Sequence, residues 1–147
     1  MEAEAAQVME HLYEVFAAPR PRVVDYCDHC VKPEDVAPFT TVPLRELTAE
    51  QVETYWLHSG TIGDENFARY LLPRVLDLIA ADELDPDFYW LRIANTAHEK
   101  GGPRERQAIE AYYDATPRAF AALVEECTGE NAPGEFLTEW LRGREKL

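Results

Sequence analysis

Five of the ten prolines in this 147-residue chain crowd between positions 19 and 43. A proline removes a backbone donor and clashes with the preceding helical turn, so sustained regular structure is expected on either side of that stretch rather than within it. Upstream, Val8, Leu12, Val15 and Phe16 recur at helical spacing until Pro19 and Pro21 end the pattern, which predicts a first helix over about residues 2 to 17. Residues 19 to 43 read as a long ordered loop with one short turn from Pro33. Such a loop in a compact domain is usually either functional or pinned by something.

Downstream the punctuation is dense. In Leu47-Thr48-Ala49-Glu50-Gln51-Val52 a capping box (Thr48 with Gln51) and a hydrophobic staple (Leu47 with Val52) agree on one helix start. That helix should run to about Ser59, before Gly60. Asp64 caps the next, whose face is Phe67, Leu71, Val75, Leu78 and Ile79; the stripe stays in phase through Pro73, which should kink the helix rather than end it. Asp85-Pro86-Asp87 reads as an N-cap followed by a first-turn proline, and Gly101-Gly102 closes that segment. From Pro103 the longest stripe runs through Ile109, Tyr112, Tyr113, Thr116, Phe120, Leu123, Val124 and Cys127. Its constant phase favours a bend at Pro117 over a split capped by Thr116. Gly129 is the expected stop, and Phe136, Leu137, Trp140 and Leu141 mark a last short helix before Gly143.

Few stretches alternate with period two. The expected fold is therefore all-α, a single domain over residues 1 to 147 with six or seven helices and a proline-rich loop at about 19 to 43. An orthogonal bundle is favoured over a short HEAT-like superhelix, because no period of 20 to 50 residues repeats.

Charge narrows the partners. Twenty-eight acidic against fourteen basic residues give a net charge of −14, which repels phosphate backbones and argues against direct nucleic-acid binding. The same surface keeps a protein soluble or attracts a basic protein partner, as an antidote to a basic toxin or a nucleic-acid mimic does. No apolar run is long enough to cross a bilayer, and Glu2, Glu4 and Glu10 stand where a signal peptide would be basic, so a cytoplasmic protein is expected. A homo-oligomer is compatible with the sequence.

Three cysteines are too few for a disulfide framework, and two of them form the run Asp25-Tyr26-Cys27-Asp28-His29-Cys30-Val31. Cys27 and Cys30 can take two corners of a zinc tetrahedron, act as a redox pair, or be ordinary thiols. Zinc would need two more ligands from His29 inside the knuckle, His11, His58, His98, Cys127, Asp28, Glu34 or Asp35, and no second C-x-x-C or H-x-x-x-H supplies them. Cys127 falls on an apolar stripe, where a thiol behaves as a small hydrophobe. His58 and His98 stand near helix ends, where an imidazolium meets the dipole favourably. A histidine between two cysteines can stabilise a thiolate, but thioredoxin-like enzymes place the motif after a buried strand, and here only Val23-Val24 precedes it.

Catalytic signatures are missing. G-x-S-x-G, H-E-x-x-H and phosphate-cradling glycine loops do not occur, Glu-x-x-His of the di-iron type is absent, and carboxylate runs such as Asp82 to Asp87 read as solvated faces. Ser59 to Asp64 reads as an inter-helix turn. Each of the aromatic pairs Tyr55-Trp56, Tyr89-Trp90 and Tyr112-Tyr113 is expected to give one ring to the core and leave the other at its edge.

Cys27-x-x-Cys30, Pro43-Leu44-Arg45-Glu46-Leu47, Tyr55, and Gly63-Asp64 followed by Leu72-Pro73-Arg74 together resemble an uncharacterised bacterial family of small helical proteins without an established activity. The likeness covers about residues 25 to 80. It implies a proline-kinked helix and a linked role for the cysteine loop and the helix pair after it. It also implies a histidine where this chain has Tyr70, so that a metal site using that position would be incomplete. Arg45, Arg74 and Tyr70 are the candidate ligand or partner contacts, with salt bridges to Glu46 or Asp77 as the structural alternative for the arginines. The functional expectation is a non-enzymatic interaction module with an acidic surface; the alternatives are a zinc or thiol-redox protein centred on Cys27 and Cys30, or an antidote.

Overall fold

Helix starts in this chain are written in side chains that satisfy otherwise unpaired amides. In the computed structural model, which describes residues 2–57, 62–127 and 135–145, Thr48 and Gln51 bond reciprocally (Thr48 N–H to Gln51 Oε1, 2.9 Å; Gln51 N–H to Thr48 Oγ1, 3.2 Å). Asp64 accepts the Phe67 amide at 3.0 Å, and Glu105 reaches back to the Gly102 amide to open the helix that begins at Pro103. The described residues hold eight α-helices and one 3-10 turn: α1 Glu2–Val15, α2 Pro33–Thr41, the turn Leu44–Glu46, α3 Ala49–Leu57, α4 Glu65–Ala80, α5 Phe88–Lys100, α6 Pro103–Ala115, α7 Pro117–Cys127 and α8 Glu135–Glu145. The expected helix ends near Gly60 and Gly129, and the side chains of Trp56, His58, Tyr89, Glu126 and Cys127, fall outside what is described.

The fold is all-α and the helices share one core. α1 lies against α6 and α4, and α5 is touched by α4, α6, α7 and α8. A solenoid brings together only successive repeats; contact between the first helix and the sixth closes a bundle instead. Two tyrosine hydroxyls are paid into its centre as hydrogen bonds: Tyr112 donates to the Leu76 carbonyl at 2.9 Å and Tyr113 to Asn95 Oδ1 at 2.6 Å. Both rings of that pair are buried, where one had been expected at the edge. No helix among the described residues is long and apolar enough to cross a membrane.

Three expectations need correction. The proline-rich loop is interrupted by a helix, α2, because Pro33 sits in its first turn, Glu34 and Asp35 favour the helix N-terminus, and Val36 and Phe39 one turn apart both enter the core. The ring of Phe39 meets Tyr55 of α3 and Phe67 of α4 edge-to-face, with centroids 6.3 and 5.3 Å away, so α2 is held by an aromatic triad. The stripe from Pro103 is split rather than bent: Thr116 leaves helical geometry (φ −125, ψ 87), as residues before proline tend to, and α7 restarts on the Thr116 carbonyl, which accepts the Phe120 amide. The helix expected from Asp85 starts at Phe88, its first turn hanging on the Asp87 carbonyl, which accepts from Trp90 and Leu91. Pro73, by contrast, lies inside an unbroken α4, as its phase foretold.

Candidate functional site

Between α1 and α2 the chain crosses the start of α4 as a strap. Asp25 accepts the Gly63 amide at 2.6 Å, and Tyr26 forms an isolated antiparallel bridge with Ile62. Gly63 is suited to this crossing for two reasons: its φ is +65, and a Cβ there would lie 2.6–2.9 Å from the Phe67 side chain. The next residue, Asp64, caps α4. The Gly-Asp pair therefore seats the strap and starts the helix at once.

Immediately after the bridge the strap folds into a tight turn. The Cys27 carbonyl accepts the amides of Cys30 and Val31, both at 3.1 Å, and Val31 is buried as an anchor. Both thiols are free; Cys27 is partly covered and Cys30 exposed. A hydrogen bond from the Cys30 thiol, with help from the His29 and Cys30 amides, holds the Cys27 thiol below the ordinary range despite the opposing charge of Asp28. Cys30 is pushed up, first by the hydrogen bond it gives to Cys27 and then by the charge forming there. The His29 ring takes no part: its side chain is 94% exposed and stands 3.9 Å from Asp28. The Cys30 side chain and the main chain, rather than the imidazole expected from the sequence, favour the thiolate.

As a metal site the turn supplies two thiolates. No group of three or more His, Cys, Asp or Glu side chains placed to hold a metal occurs among the described residues. His98, offered by the sequence as a further ligand, is instead 1% exposed inside the bundle and holds Glu110 of α6 through Nε2 at 2.8 Å. Its Nδ1 is buried without a hydrogen-bond partner among the described residues. His58 and the Cys127 side chain, two further distant candidates, fall outside what is described.

The two candidate arginines belong to a different place. Arg74 of α4 donates to the Leu47 carbonyl at 2.8 Å and to Asp77 at 3.2 Å, and Asp77 also accepts the Tyr13 hydroxyl at 2.7 Å. Arg45 forks onto both carboxylate oxygens of Glu10 at 2.6 and 2.9 Å and lies 4.0 Å above the Tyr13 ring. Its partner is thus Glu10 on α1 rather than neighbouring Glu46. Together these bonds lash α1, the 3-10 turn and α4. Both arginines are engaged in that lashing, and burial together with the bond to Asp77 pushes the Tyr13 phenol far above its usual range.

Tyr70, the third candidate, is buried against Phe67, with ring centroids 6.1 Å apart, and burial raises its phenol. It lines a cleft of about 250 Å³ between the strap and α4, together with Pro19, Pro21, Val24, Asp25 and Asp64. A second recess of about 250 Å³, bounded by Val15, Phe16 and Arg69, shares Ala18, Asn66 and Tyr70 with it. Neither cysteine lines either recess, so the structure does not bring Tyr70 and the thiols into one pocket. Asp25, Gly63 and Asn66 were not singled out from the sequence as cleft residues; the crowding of Pro19 and Pro21 was the one signal that this segment is held in place.

No family model matches this chain, nor does any curated protein or solved structure.

Proposed function

We propose that this protein is a non-enzymatic interaction module that binds a basic segment of another protein, seating one apolar side chain in the cleft between strap and α4. The observation that carries the reading is the composition of that cleft: Pro19, Pro21, Val24, Phe67 and Tyr70 give it an apolar wall, and Asp25 and Asp64 are its charged lining residues. At about 250 Å³ it is smaller than the roughly 300–1,000 Å³ typical of small-molecule and cofactor sites, and it suits a single anchor side chain. Val23, 78% exposed on the strap, extends apolar surface at its edge. A net charge of −14 draws cationic partners over long range and speeds encounter. Of the motifs that carry the resemblance, Cys-x-x-Cys lies on the strap, while Pro-Leu-Arg-Glu-Leu and Leu-Pro-Arg join the 3-10 turn to α4.

Selection of peptides from a random display library on the intact protein tests the proposal. Enriched peptides should place one apolar residue among lysines and arginines, bind more weakly as salt rises, and shift amide resonances at Val23, Asp25 and Gly63 to Asn66. Asn66→Trp, which puts a bulky ring on an exposed position shared by both recesses, should abolish binding without unfolding the chain. Peptides with no basic bias, or binding indifferent to Asn66→Trp, would refute it.

A further inference from the structure

We propose that Cys27 and Cys30 form a reversible dithiol–disulfide site that exchanges with low-molecular-weight disulfides. The inference stands apart from the peptide-binding reading, because neither thiol lines the cleft. It rests first on reach. The Cys30 amide closes a four-residue turn on the Cys27 carbonyl at 3.1 Å, and the ends of such a turn lie within about 7 Å of each other. Disulfide-bonded residues have Cα separations of about 4.4–6.8 Å, so the backbone is already shaped for the bond. Each thiol is also the largest influence on the other, lowering Cys27 and raising Cys30, as expected of neighbouring sulfurs that share a proton.

The division of labour follows from the surroundings. The Cys30 side chain and the main chain of His29 and Cys30 favour negative charge on Cys27. Cys30 is exposed and gives up its proton less readily. In the forward reaction the Cys27 thiolate attacks one sulfur of a small disulfide RSSR, breaking its S–S bond and releasing RS⁻. Cys30 then loses its proton and attacks Cys27, forming the internal bond and expelling the second RS⁻. The protein is oxidised by two electrons, RSSR is reduced to two thiols, and the two protons lost by the cysteines end on them. Stabilising the thiolate favours the reduced form, which makes the pair more oxidising than an unperturbed dithiol. With both thiols free, the strap just before the pair is already held by Tyr26 on Ile62 and Asp25 on Gly63.

The test equilibrates the full-length protein in glutathione buffers of graded ratio, quenches with acid, alkylates, and counts labelled thiols by intact mass and peptide mapping. One reversible transition should remove two of the three alkylatable thiols, with the bond mapped between Cys27 and Cys30. Cys30→Ser should accumulate a single glutathione adduct on Cys27, formed faster near neutral pH than the adduct on Cys30 in Cys27→Ser. Full alkylation at every ratio, pairing to Cys127 or between chains, or equal rates in the two variants would overturn the proposal. So would stoichiometric zinc in protein purified without a metal-binding tag, blocking alkylation of both thiols until a chelator is added, because the turn would then be half of a metal site.

Discussion

Replacing Gly63 by alanine separates the role given to that residue from a generic turn. At φ +65 an L-alanine sits in left-handed backbone at a cost of about 1–2 kcal/mol. Its Cβ would also lie 2.6 Å from Phe67 Cδ2 and 2.8 Å from Phe67 Cβ, and relieving such overpacking costs about 1–3 kcal/mol. The smaller entropy of the unfolded alanine chain offsets about 0.4–1 kcal/mol, leaving a net loss of roughly 1–5 kcal/mol. For a chain of this size that is a fall in melting temperature of roughly 2–20 °C. Because Gly63 donates to Asp25 and flanks the Tyr26 bridge, amide exchange should quicken across residues 18–31 before it does in α5 or α6. Gly143 is the control: it lies in α8 with nothing within 4 Å of a built Cβ, so Gly143→Ala should stabilise by about 0.4–1 kcal/mol. Urea titrations of the three proteins decide the matter. A Gly63→Ala protein as stable as the wild type, or one whose strap amides exchange no faster, would refute the account of the strap's seat.

The two arginines should behave unequally: Arg74→Ala, which strips partners from the Leu47 carbonyl and Asp77, should cost about 2–3 kcal/mol in urea unfolding, whereas Arg45→Ala, losing an exposed fork, should leave the midpoint unchanged within error. At high pH the phenols of Tyr13, Tyr55, Tyr70 and Tyr112, all raised by burial, hold their protons in the folded state. A raised folded value means that stability is complete below the unfolded tyrosine range near about pH 10 and is lost as pH climbs toward the folded values. Phenolate absorbance should therefore rise in one steep step coincident with loss of circular dichroism, and Tyr13→Phe should shift that step upward. His98→Ala should cost about 2–4 kcal/mol by emptying a buried site and stranding Glu110, while His98→Gln, which can still donate to Glu110, should cost less than half as much in the same assay.

What could be read along the chain was whatever is decided within a few residues. The reciprocal bonds of Thr48 and Gln51, the Asp64 cap and the passage of α4 through Pro73 all follow from neighbours three or four positions apart. α2 escaped because nine residues with two prolines give two core contacts, Val36 and Phe39, too few to establish a period. The constant phase across Pro117 misled for a related reason: one extended residue, Thr116, can break the backbone while the residues beyond it still face the core. Longer reach was invisible. Arg45 finds Glu10 thirty-five positions away and His98 finds Glu110 on the next helix, pairings that depend on how helices dock and not on local spacing. The cysteine turn was recognisable as a motif, but the source of its thiolate stabilisation was not, since that depends on which way His29 turns.

The docking of α1 against α6 sets an order on biosynthesis. About a hundred residues separate the two helices along the chain. At about 5–20 residues per second a ribosome needs roughly 5–20 s to make the later one. Throughout that interval α1, whose Leu12 and Tyr13 end in the core, lacks α6 as a docking partner. The earlier of the two helices thus waits for the later one to cover it, and a nascent chain halted before Pro103 would present its oily side to whatever chaperone waits at the exit tunnel.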